Sequence, residues 1–279
     1  MRGTLMFLGL AVSIRSSAHA QGDCFPGKTS HEAKTFAIYS VPLAFSPAGL
    51  PRITSGRIQL GLELAYLPNI DSVTATPTVC RPGKGPENTD LLFAAPRPRI
   101  TVALGGGFAL EGSWTPPVRL NHVQANLFAA ALSYDTRIGR QAGLTVRLHG
   151  STGTIKAPIT CPDKALAVAT SECFRGSRSD DSFKPSIVGA EALIHWGSNG
   201  GPIHPYVGAG YNHLTPRFQV NFTNAVGDVD RRKVEVNLDR ITVFGGVAWA
   251  TSTRWNLSAE LYSAPADAVT GRVAIRVGL

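Results

Sequence analysis

Arg57, Glu63, Arg99, Glu111, Arg147, His149, Glu191, His195, Arg240, Glu260, Arg272 and Arg276 all lie in stretches where polar and apolar residues alternate. Four carboxylates thus sit among six guanidinium groups and two imidazoles. Such a set can do one of two things. It can pair into a buried ion network, or it can line a narrow pore whose net positive charge favours anions or small polar solutes. Catalysis is the weaker reading. There is no G-x-S-x-G elbow and no H-E-x-x-H helix, so no enzyme is expected. His213 with Asp228 or Asp230 is the remaining acid–histidine candidate, and its loop context reads as solvated rim chemistry. Asn224, Asp228 and Asp230 offer oxygen ligands without a complete calcium loop. Gly105, Gly106 and Gly107 lack the strand-to-helix setting of a phosphate cradle and read as a tight turn. No cofactor and no metal are expected.

The elements that must position these groups are strands. From Arg57, Ile58, Leu60, Leu62, Leu64 and Tyr66 alternate with Gln59, Gly61, Glu63 and Ala65. Successive side chains of a strand point to opposite faces, so this stretch has one apolar and one polar face. The same period recurs around Ile100–Leu104, Phe108–Trp114, Leu144–Leu148, Val188–Trp196, Trp255–Leu261 and Val273–Leu279. Val123–Tyr134 is apolar on both faces. In Pro205–Phe222 and Val234–Trp249 the apolar parity changes partway, which predicts a bulge near 210–215 and another near 239–240. Ten strands result, with short turns alternating with long, polar, Pro-rich loops at 69–96, 157–183 and 223–232.

The chain of 279 residues carries a formal charge of +8 and is 43% apolar. Its Lys and Arg residues are dispersed, without the basic block that nucleic acid would call for. Arg2, the apolar run Leu5–Val12 and Ala18-His19-Ala20 read as a signal peptide cut after Ala20. The remainder has no uncharged apolar run near the roughly 18 to 20 residues of a spanning helix. Cys24, Cys80, Cys161 and Cys173 form an even set in an exported chain, which points to two disulfides rather than a metal site.

Alternating strands, short turns and long loops are the pattern of an all-β, transmembrane, antiparallel up-and-down barrel, with the apolar faces on lipid and the charged set in the lumen. Tyr66, Trp114, Trp196, Trp249 and Trp255 fall near strand ends on the apolar parity, as an aromatic girdle would. Residues 21–56 contain Phe36, Ile38, Tyr39, Leu43 and Phe45, yet Pro42, Pro47 and Pro51 break any strand there. This segment is expected to enter the lumen as a plug, with Cys24 reaching Cys80 and Cys161 pairing locally with Cys173. Residues 57–279 make the barrel.

The pattern of residues 57–279 resembles Gram-negative outer-membrane β-barrel proteins. That family commonly ends on an aromatic residue, whereas this chain ends on Leu279. Phe45-Ser46-Pro47-Ala48-Gly49-Leu50, ahead of the first strand, is similar to the N-P-A-G stretch of the larger long-chain fatty-acid transporters. The resemblance implies a bacterial outer-membrane location, a monomer, insertion by the barrel assembly machinery, and contact with outer-membrane lipid. Arg81, Lys84, Arg175, Arg178, Lys184, Arg231 and Arg232 are candidates for lipopolysaccharide phosphates. The expected function is passive passage of small molecules, hydrophobic ones included, across the outer membrane. The alternative is a non-conducting structural or surface-recognition barrel acting through its long loops.

Overall fold

A computed structural model describes residues 22–50, 57–197 and 201–279. The expected signal peptide and Pro51 lie outside the described residues. Ten strands form the wall: β1 (Ile58–Tyr66), β2 (Ala94–Gly105), β3 (Phe108–Thr115), β4 (Val123–Arg137), β5 (Ala142–Ala157), β6 (Ile187–Trp196), β7 (Ile203–Leu214), β8 (Leu238–Ala250), β9 (Trp255–Ala264) and β10 (Ala268–Gly278). Each pairs antiparallel with its sequence neighbour, and β10 returns to β1 through Gln59↔Gly278 to Ala65↔Arg272, so the sheet closes on itself. Closure leaves the wall without an edge strand.

The period of two decides which residues face where. Leu62, Leu148 and Leu261 are 46%, 59% and 65% exposed, whereas Glu63, Arg147 and Glu260 are 0%, 1% and 3% exposed. A soluble protein would reverse this order. An apolar exterior around a charged interior is the construction of a transmembrane barrel. Turns join the strands at one end, called inner here, and the long loops gather at the other, outer end.

The two expected bulges are absent, and the reason is environmental. β7 and β8 pair without interruption from Ile203↔Trp249 to Leu214↔Leu238. Pro216 lacks a donor and ends the regular ladder. Short strands Arg217–Gln219 and Lys233–Glu235 then continue above the barrel beside Asp181–Lys184. Phe218, Val220, Val234 and Val236 are buried there. Above the bilayer the outside is water, so the apolar parity turns inward while the backbone alternation continues. The irregularity that does occur lies between Ala103 and Gly105, at the Gly-rich turn.

The segment before β1 is helical. Helix α1 (His31–Leu43) starts at Ser30, whose hydroxyl accepts the Ala33 N–H at 3.1 Å. Pro42 sits in its last turn. Two disulfides brace the outer end, Cys24–Cys80 and Cys161–Cys173. The first ties the strand-like stretch at Cys24, which bridges Val234, to the β1–β2 loop.

Candidate functional site

Strand parity places the charged residues of five strands around one level of the lumen. Their ion pairs run in sequence: Arg97 to Glu63 at 3.5 Å, Glu63 to Arg99 at 2.6 Å, Arg99 to Glu111 at 3.0 Å, Glu111 to Arg147 at 2.8 Å and Arg147 to Glu191 at 2.8 Å. His149 closes the row 3.4 Å from Glu191. Charges alternate in sign around the wall, so each one removed from water faces an opposite neighbour. An isolated charge at such depth would carry a desolvation penalty of several kcal/mol, or ~20 kcal/mol in the idealised limit.

The remaining donors of these arginines grip the plug. Arg272 reaches the carbonyls of Val41 and Ala44 at 2.8 and 3.0 Å. Arg97 takes Leu43 and Ala44, Arg147 takes Phe45, Arg99 takes Ser46 and Arg276 takes Pro47. Five guanidinium groups therefore hold the backbone oxygens of Val41 and of Leu43 through Pro47, at the last turn of α1 and just past it, where helix end and loop leave carbonyls without partners. Glu260 supplies the opposite polarity, accepting the Ser46 hydroxyl at 2.5 Å and the Ala48 N–H at 3.0 Å. The Phe45 ring lies under Arg99, Arg147 and Arg97, 4.2, 5.2 and 5.6 Å from the respective guanidinium carbons. At this level the interior is filled by side chains and residues 41–48.

Other expected site residues lie elsewhere. Arg57 is exposed at the inner end, just ahead of β1, instead of facing the lumen. His195 is half-buried at the same end and pairs with Asp135 at 2.8 Å. Arg240 stands at the outer rim and pairs with Asp267. Trp196, Trp249 and Trp255 are exposed near the inner end, while Tyr66 and Trp114 are exposed toward the outer end. His213 pairs with Asp239 at 2.9 Å, not with Asp228 or Asp230. Asp228 closes an Asn224 turn, and Asp230 binds Arg232. No group of three or more His, Cys, Asp or Glu suited to a metal occurs among the described residues. Arg81 is a buried strut instead of a surface cation, held by Glu87, Glu172 and Asp230, and Lys84 is bound to Glu87.

The sequence pattern missed Arg97. It shares the inward parity of Arg99, but Pro96 and Pro98 on either side disguise the strand. Those prolines have a second consequence. β2 and β3 pair only from Ile100↔Gly112 to Gly105↔Phe108. Extending that register would set Pro98 against Trp114 and Pro96 against Pro116, and a proline cannot donate. On its other side β2 pairs with β1 to the end, through Leu64↔Pro96 and Tyr66↔Ala94. The outer half of the β2–β3 seam is therefore unbonded.

A cavity of about 290 Å³ lies above the charged level, between α1 and the wall. Phe36, Leu43, Leu127, Phe183 and Phe218 give it an apolar lining. Pro96 and Pro98, on the outward parity of β2, line it too. A small separate space bounded by Leu43, Arg97, Ser113 and Phe128 lies beside it, sharing Leu43, Arg97, Thr115 and Leu127. Ser113, Phe128 and Ser151 then border a groove on the barrel's outer wall. Ser113 and Thr115 have the inward parity of Glu111, yet they are only half-buried.

No protein-family model matches the chain, and no curated protein sequence matches it. Among solved structures, the toluene transporter TodX of P. putida is 14% identical over 85% of this chain and 70% of that one, with a TM-score of 0.34. The Neisserial surface protein A is 13% identical over 80% and 98%, with a TM-score of 0.30. The CymD monoaromatic hydrocarbon channel is 12% identical over 84% and 69%, with a TM-score of 0.36. At such values the likeness carries no argument about function; the barrel rests on the chain's own closed ladder.

Proposed function

We propose that this outer-membrane barrel passes small apolar molecules from its outer end sideways into the bilayer, through the seam between β2 and β3. The observation that carries this reading is that Pro98 lines both the apolar cavity and the lipid-facing groove, at the point where Pro96 and Pro98 remove wall hydrogen bonds. The alternative route, straight down the lumen, meets the ion network and the gripped plug. A cavity of about 150 Å³ holds one benzene, so 290 Å³ suits a body of about twelve heavy atoms. Polar and charged solutes gain nothing from such a lining.

The test is uptake of radiolabelled isopropylbenzene by cells that carry the barrel, set against cells with Ala129→Trp, which places a bulky ring on β4 in the small space beside Arg97 of β2 and Ser113 of β3. Uptake by the unaltered barrel and its return to the barrel-free level in the variant are expected. Equal uptake by both would overturn the route. The filled lumen and the disulfide-braced outer loops favour a second reading, a non-conducting surface barrel. Uptake no higher than that of barrel-free cells in every form, with silent planar bilayers, would decide for it.

A further inference from the structure

Above the apolar belt, β5 and the short outer strands present an outward face of unusual charge. Lys184 lies directly across from Arg217, both exposed. Like charges directly opposite in a sheet are destabilising. Arg217 has Glu235 at 3.5 Å, whereas Lys184 meets no acidic partner among the described residues. Next along the wall, Lys156 and Arg119 share the single carboxylate of Asp180, at 3.3 and 3.9 Å. Four cations thus face two carboxylates, an excess of two positive charges.

Directly beneath this patch the lipid-facing wall is hollowed. The register runs Gly112↔Ala130↔Gly150↔Val188, so three neighbouring strands present a hydrogen or a methyl at one height. The stacked pair Trp114 and Phe128 stands on the outer side of this shelf, and Leu132 and Leu148 on the inner side. Thr152, Ser186 and Thr215 join the groove to the cationic rows above. A shelf the width of an acyl chain, capped by uncompensated positive charge at headgroup height, matches one kind of occupant.

We propose that this face seats a phosphorylated, multiply acylated glycolipid of the outer leaflet, with Lys184 and Arg217 on a phosphate and an acyl chain on the Gly112–Ala130–Gly150 shelf. Lysine serves as a point charge for phosphate and arginine as a fork. The seat requires only the barrel's orientation in the bilayer; its shelf is part of the groove into which the proposed cargo route opens, and the lipid-binding readout is separate from uptake.

The test uses the full-length barrel in neutral detergent with bisphosphorylated hexa-acyl lipid A as probe, read by native mass spectrometry and thermophoresis. The barrel is expected to bind the probe. Binding is expected to fall about tenfold in Lys184→Glu/Arg217→Glu, and comparably in Gly150→Trp. Lys184→Gln serves where the double variant fails to fold, which heat-modifiable gel mobility reveals. Dephosphorylated lipid A should bind markedly less, and millimolar inorganic phosphate should not displace the probe. No binding, equal binding of the two lipids, unchanged binding by the charge variants, or displacement by free phosphate would each overturn the seat.

Discussion

The Arg97 guanidinium donates to the Leu43 main-chain oxygen at 2.9 Å, so the strand that lacks wall bonds on one side is also fastened to the plug. Arg97→Met keeps the volume and removes these bonds, at a cost of about 2 to 3 kcal/mol for charge-assisted donors. The end of α1 should loosen, and planar bilayers should record ion steps that the unaltered barrel lacks. Unchanged silence would mean that the other four arginines hold the plug without it.

Glu111 lies between Arg99 and Arg147 and is 2% exposed. Glu111→Gln removes one of the two carboxylates that each guanidinium group faces, while Glu63 and Glu191 remain, so the loss should approach but not exceed the about 3 to 5 kcal/mol of a fully broken buried pair. Unfolding in urea and micelles should show that loss. Arg254→Gln, at an exposed inner turn, should stay within about 0.5 kcal/mol. A charge reversal at Glu63 or Arg147 should likewise lower heat stability more than it alters any ion preference.

Gly49 has φ +118°, and a Cβ there would stand 2.7 Å from the Ser258 hydroxyl oxygen and 2.9 Å from Ser258 Cβ. L-residues with a side chain avoid that backbone region, at a strain of about 1 to 3 kcal/mol. Gly49→Ala should break the Ser258 hydroxyl's bond to the Ala48 oxygen, 2.6 Å long, and unseat the loop below Phe45. Thermal unfolding and bilayer conductance should both register it, whereas Gly85→Ala in the open β1–β2 loop should be silent.

The contrast among Glu63, Arg97 and Phe36 explains what the amino-acid pattern could reveal. Glu63 sits in an uninterrupted period of two, because one strand face meets lipid and the other does not. Arg97 obeys the same parity, but Pro96 and Pro98 look like loop residues until the pairing with β1 is seen. Phe36 belongs to a helix enclosed on nearly all sides, and a helix without a wet face has no single apolar stripe to detect. The parity change at Phe218 and Val234 has a further origin, since those strands leave lipid for water while keeping their twofold backbone repeat. Periodicity reports the contrast between two environments, so it fades wherever the environment is the same on all sides or is exchanged partway.

The Cys24–Cys80 disulfide closes a sequence separation of 56 residues that contains α1 and the whole gripped loop. Cross-linking a loop of that length restricts the unfolded chain by about 4 kcal/mol on the chain-entropy account. Cys24→Ser/Cys80→Ser should lower the unfolding midpoint in micelles. The stretch at Cys24 retains its main-chain bonds with Lys233 and Glu235, so the native plug should stay in place at ambient temperature. Release of residues 22–30 to protease without heating would contradict this.

Glu32 shows how the plug senses acid. Its carboxylate accepts the N–H groups of Thr78, Val79 and Cys80 at 2.9, 2.7 and 2.9 Å, joining α1 to the β1–β2 loop. Burial pushes the carboxyl up, but the backbone donors of Cys80, Val79 and Thr78 overrule it and hold it below the ordinary carboxylate value. A group depressed in the folded state contributes stability above its unfolded pKa, near 4.3 for a glutamate, and loses it as pH falls through the folded value. Melting of the unaltered protein should therefore fall across the acid range from about pH 5 downward. Glu32→Gln retains an acceptor oxygen but no charge. It should melt lower at pH 7, by about 2 kcal/mol of stability, and fall less steeply on acidification. Parallel melting curves for the two proteins from pH 7 to the acid limit would show that the carboxylate's charge does not hold the plug to the loop.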